Sequence, residues 1–179
     1  MAWLNSERRY GTLSVTLHWL MLALLVVIYA CMELRVNFPK GSDVREGMKA
    51  WHFMLGLTVP MLVALRLVAR ALGQTPMISP PPPNWQRHLA SAMHLALYVF
   101  MFAMPVLGWL TLSAAGKPIP FFGLELPALV GADKALGRQI LEIHETGAVV
   151  GYGIIGLHAA AALYHHYFLR DNTLQRMLP

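Results

Sequence analysis

The chain has 179 residues, 56% hydrophobic and only 13% charged, with a formal charge of +5 and a mean hydropathy of +0.49. Soluble domains carry about 25% charged residues, so this is a membrane-protein composition. The basic residues are split among short loops without a stripe of interleaved aromatics, which excludes nucleic acid and points to anionic lipid headgroups or a small anion.

About 20 apolar residues cross a bilayer core as a helix, and four such stretches are found. The first predicted helix covers residues 13–32. It ends in Glu33–Leu34–Arg35 and not in a small-residue cleavage site, so it reads as a spanning helix and not as a cleaved signal. A short charged connection leads to helix two, residues 51–69, where Arg66 and Arg70 are placed to snorkel from its end. The next linker carries Pro76 and the run 80–83, a stiff extended stretch. Helix three covers 89–115, interrupted by Pro105 and Gly108. The longest connection, 116–137, holds Pro118, Pro120, Phe121, Phe122 and Pro127 and is expected along the membrane interface. Helix four covers 140–169. The expectation is one all-α domain over 1–179, an integral-membrane four-helix bundle with both termini on one side.

Lysines and arginines do not settle the orientation. Arg8, Arg9, Arg66, Arg70, Arg87, Arg170 and Arg176 lie on the terminal side; Arg35, Lys40, Arg45, Lys49, Lys117, Lys134 and Arg138 lie opposite. The positive-inside rule needs an imbalance. The tie suggests that the basic residues opposite the termini have a task of their own.

Histidines carry the chemistry. His144 and His158 lie fourteen residues apart in helix four, on one side and about 21 Å apart along the axis. An ionisable residue inside a membrane helix is a functional-site hypothesis by default. His52 starts helix two at the depth of His144, and His18 in helix one matches the depth of His158. Pairing His52 with His144 and His18 with His158 gives two bis-histidine sites, suited to two haems between the helices. The lone Cys31 excludes an internal disulfide and covalent CxxCH haem attachment. Gly151 lies between His144 and His158, with Gly147, Gly153 and Gly156 around it, and Gly56 is one turn from His52. These small residues leave room for a porphyrin edge, with plain helix packing as the competing reading. His94 on helix three is a rival ligand by depth. His165 continues the stripe, within reach of a propionate or a quinone. A shared zinc ion does not suit ligands fourteen residues apart, and no HExxH motif, P-loop or GxGxxG is present.

Three segments are similar to the bacterial cytochrome b561 family. They are Thr16–Leu17–His18–Trp19, Met32–Glu33–Leu34–Arg35 with Phe38–Pro39, and the stretch from Gly156–Leu157–His158 through His165–His166–Tyr167–Phe168 to Asp171–Asn172–Thr173–Leu174. The resemblance covers essentially the whole chain. It implies a four-helix inner-membrane protein with two haem b groups and both termini cytoplasmic. It also implies that His18, His52, His144 and His158 bind the haem irons axially. In members similar to this chain, superoxide is oxidised on the periplasmic side and electrons pass inward to ubiquinone. Other members are cytochrome b subunits that take electrons from a partner dehydrogenase. The 117–137 loop offers such a partner little, so a protein partner is not required.

The basic set Arg35, Lys40, Arg45 and Lys49 lies beside His52 and would raise the local concentration of a small anion, with Asp43 and Glu46 opposing it. For the electron exit, His165 is the candidate proton donor. His94 and Arg87 are candidates to contact a propionate or a quinone carbonyl.

Overall fold

A computed structural model describes residues 3–178. Helix α1 runs Thr12–Leu34 and passes into a short 3-10 turn at Arg35–Asn37. Helices α2 and α3 run Asp43–Leu72 and Asn84–Ala114. Two short strands follow, β1 at Pro120–Phe121 and β2 at Leu124–Glu125. Helix α4 runs Lys134–Tyr164 and continues as a π turn over His165–Leu169. Among the described residues four helices are long and apolar enough to cross a membrane. The fold class is the all-α membrane class expected.

The helices extend past the apolar stretches that announce them. Helix α2 begins at Asp43, well before Trp51. Ser42 Oγ accepts the Arg45 N–H at 3.4 Å, and Asp43 and Glu46 stand in the first turn against the helix dipole. Helix α4 begins at Lys134 because Asp133 accepts the N–H groups of Ala135 and Leu136 at 2.9 and 3.1 Å. Caps set these ends, and hydropathy does not report them. Pro60 and Pro105 lie inside continuous helices. Each removes one backbone donor, which a membrane helix tolerates where neighbours shelter the freed carbonyl.

Two compact units divide the chain, and each helix contributes to both. The terminal unit takes in the described parts of Met1–Leu20, Leu62–Phe100 and Val149–Pro179. Val15, Leu17, Val63 and Ala69 are buried in it. The chain's tail clasps the proline linker there. Ser79 and Asn172 exchange hydrogen bonds: the Asn172 N–H donates to the Ser79 carbonyl at 3.2 Å, and the Ser79 N–H to Asn172 Oδ1 at 2.9 Å. Arg176 donates to the Pro76 carbonyl, and its guanidinium carbon lies 5.6 Å from the Tyr10 ring centre. Trp19 Nε1–H donates to the Met177 carbonyl at 2.7 Å. Burial holds the Arg176 guanidinium below its ordinary value, against the opposing influence of Tyr10 and Asp171.

The second unit takes in Met21–Met61 and Met101–Ala148. Met21, Ile28, Val59, Met101, Leu112 and Ile119 are buried in it. Its long connection is tied down by a hairpin and by contacts to the helices. Strands β1 and β2 pair antiparallel around Phe122 and Gly123, both at positive φ, +48° and +87°. That is the backbone of a tight two-residue hairpin turn. Phe122 is held in this unfavourable region by the Trp51 ring, 6.4 Å away, and by an N–H contact to Met54 Sδ at 3.4 Å. Trp109 Nε1–H donates to the Pro127 carbonyl at 3.0 Å, and the Leu129 N–H to Ser113 Oγ at 3.1 Å. The loop is therefore anchored to α2 and α3.

Candidate functional site

In the second unit, α2 and α4 bring His52 and His144 together, with ring centres 6.2 Å apart and planes at 81°. His52 Nδ1 lies 3.0 Å from the Ile28 carbonyl of α1. A carbonyl only accepts, so Nδ1 carries the proton and Nε2 keeps its lone pair. Metal-bound histidines are oriented by this kind of second hydrogen bond. His144 Nδ1 is buried, with the Met104 backbone beside the ring as its hydrogen-bonding neighbour. Gly108 of α3 lies against the same ring: a Cβ there would stand 3.4 Å from His144 Cε1.

In the terminal unit, α1 and α4 bring His18 and His158 together at 6.3 Å, with planes at 68°. His94 of α3 joins them, its ring centre 5.6 Å from that of His158. Arg66 of α2 is near enough for its charge to act on all three rings. Arg70 is exposed, as a snorkelling side chain is; Arg66 is half-buried, with Nη1 sealed from solvent and without a partner. Arg66, expected with Arg70 to snorkel, is thus half-buried within electrostatic range of the histidine cluster.

Both histidine pairs fit a haem iron. Metal–nitrogen bonds of about 2.0–2.1 Å, plus roughly the radius of each imidazole, put two axial rings roughly 6 Å apart at their centres. The 6.2 and 6.3 Å pairs have this spacing.

The glycines divide. A Cβ at Gly56, Gly153 or Gly156 would meet nothing within 4 Å, so these leave open space. A Cβ at Gly147 would lie 2.6 Å from Met104 Sδ, so that glycine serves close packing of α3 on α4.

The four basic residues beside His52 are not equivalent. Arg45 Nη1 donates to the carbonyls of Phe38 and Arg35 at 2.9 and 3.4 Å, holding the turn after α1. Lys49 is paired with Glu46 at 2.7 Å. Lys40 is exposed. Arg35 has a buried, unpartnered Nε, and its charge acts on His52. In the terminal unit Arg87 is exposed in the first turn of α3.

His165 has a partner that the sequence reading missed. Its Nδ1 lies 2.5 Å from Asp171 Oδ2. Arg170, at φ +53°, turns the chain so that Asp171 folds back onto the helix end. Thr173 N–H donates to Asp171 Oδ1 at 2.8 Å. Burial alone would raise the Asp171 carboxyl; the hydrogen bonds of His165 and Thr173 and the nearby His165 charge outweigh it and hold it below its ordinary value. Asp171 is one of two acids on the terminal side, and its isolation was the available signal.

A profile of the prokaryotic cytochrome b561 family matches residues 9–179. The chain is 41% identical over 171 residues to "Cytochrome b561 homolog 1" of Escherichia coli (strain K12), covering 96% of this chain and 97% of that protein. It is 35% identical over 173 residues to "Probable superoxide oxidase CybB" of Yersinia pestis, covering 97% of each. "Cytochrome b561 homolog 2" of Escherichia coli (strain K12) is 30% identical over 179 residues, covering 99% of this chain and 95% of that protein.

Proposed function

The chain belongs to the prokaryotic cytochrome b561 family and is a membrane haem b electron-transfer protein; on that premise we propose that it oxidises superoxide to dioxygen and reduces ubiquinone. The observation that carries the proposal is the pairing of His52 with His144 and of His18 with His158, at 6.2 and 6.3 Å. Each pair holds one haem b in this reading. A haem so held supplies one-electron exchange at its edge, because two imidazoles leave the iron no open position. The superoxide assignment draws its support from the similarity to the Yersinia pestis protein and from the cations beside His52.

The chain's own residues divide the remaining work. The Ile28 carbonyl fixes the His52 ring through Nδ1–H. Arg35 and Lys40 are the basic residues left to draw in an anion, since Arg45 and Lys49 are engaged elsewhere. Two superoxide anions give two electrons; a quinone takes both with two protons to become the quinol. His165, oriented by Asp171, is placed in this reading to deliver a proton near the quinone, with His94 and Arg87 as further contacts. The protein then resides in the inner membrane with both termini cytoplasmic, and needs no protein partner.

Stopped-flow reduction by superoxide in detergent, with and without ubiquinone, tests the proposal. The expected result is rapid appearance of the reduced haem bands, and their reoxidation when quinone is present. Bands that superoxide leaves oxidised, in a protein fully reducible by dithionite, would overturn it.

A further inference from the structure

Arg66 lies within a membrane-spanning helix, beside His18, His94 and His158, with one guanidinium nitrogen buried and unpartnered. A half-buried guanidinium with a sealed, unpartnered nitrogen gains from a counter-charge, because taking a cation out of water without a partner costs free energy. The polypeptide supplies none nearby. The terminal unit contains seven arginines and only two side-chain carboxylates, Glu7 and Asp171. Glu7 is exposed in the N-terminal segment, and Asp171 is committed to His165 and Thr173. Arg70 is exposed and needs no buried partner. The position of Arg66 therefore calls for an anion from outside the chain, one that reaches the His18–His158 pair.

We propose that Arg66 binds a carboxylate of the haem held between His18 and His158, so that the guanidinium anchors a propionate and sets that haem's potential. The inference rests on the haem reading above. Guanidinium and carboxylate match as a two-pronged, charge-assisted pair, which a neutral quinone carbonyl does not. A cation at this place also favours the reduced iron, which carries one positive charge less than the oxidised form.

The test uses the full-length holoprotein in detergent, with Arg66→Gln, Arg66→Lys and His18→Ala. Redox titration of the two haems is the first readout, and haem transfer to excess apomyoglobin the second. In Arg66→Gln the midpoint potential of one haem is expected to fall while the other stays, and haem loss from the shifted site to speed up roughly tenfold or more. The shifted haem should be the one absent from His18→Ala. Arg66→Lys, which keeps the charge, should restore the potential in large part. Unchanged potentials and an unchanged transfer rate in Arg66→Gln would overturn the proposal. So would a shift confined to the haem that His18→Ala retains. A shift seen only after anionic lipid is added would assign the counter-charge to a lipid phosphate and also overturn it. If His18→Ala keeps both haems, the haem reading itself has failed, independently of Arg66.

Discussion

Asp171 Oδ2 lies 2.5 Å from His165 Nδ1, across the left-handed turn at Arg170. The carboxylate accepts from Nδ1–H, which leaves Nε2 as the ring's free nitrogen. Asp171→Asn should keep both haems and their reduction by superoxide, yet slow quinone reduction on the order of tenfold, the usual effect of losing an orienting partner. Equal quinone turnover in the two proteins would place proton delivery elsewhere. The same pair gives stability a defined pH dependence. Folding lowers the Asp171 carboxyl from its ordinary 3.8. Its stabilising contribution is therefore present above that value and is lost as pH falls through the lower folded value. Thermal unfolding of the two proteins should differ near neutral pH and converge in acid; a difference that persists in acid would contradict the assignment.

Gly108→Ala should disturb one haem alone. The new Cβ would stand 3.4 Å from the His144 ring, at the close edge of van der Waals contact, and would restrict the ring's tilt. Electron paramagnetic resonance of the oxidised protein should show one low-spin signal moved and the other unchanged. Two unchanged signals would mean that the His144 ring is not held by α3.

The basic residues beside His52 should separate on substitution. Arg35→Gln and Lys40→Gln should each slow superoxide-driven reduction, and raised salt should slow the unmodified protein, since exposed charges are screened over about 8 Å at physiological ionic strength. Replacing Lys49 and Glu46 together by glutamine should change the rate little, because the pair is neutral as a unit. Arg45→Gln should lower stability by about 1.5–3 kcal/mol through its lost carbonyl bonds. Rates insensitive to salt, to Arg35→Gln and to Lys40→Gln would remove the steering role.

Much of this was legible in the chain. Period and depth matched His52 with His144 and His18 with His158, and left His94 as a rival to His18, because a spanning helix fixes how far apart its residues lie. The helix ends were legible only in part: the first turns of α2 and α4 are polar, and Ser42 and Asp133 stabilise them by capping. The hairpin at Phe122–Gly123 escaped notice because Phe122 is not a residue expected at positive φ. Arg66 and Asp171 escaped for a different reason. Whether an arginine near a helix end reaches for water or turns inward depends on what the other helices place beside it. The partner of His165 comes from beyond the helix, through a turn at an arginine where glycine is usual.

The central claim is two bis-histidine haems, and counting haem tests it most directly. A pyridine haemochrome assay on purified protein should return two non-covalent b haems per chain. His52→Ala or His144→Ala should leave one, His18→Ala or His158→Ala should leave the other, and His94→Ala should keep both. One haem per unmodified chain would contradict the account, as would a haem lost from His94→Ala and retained in His18→Ala.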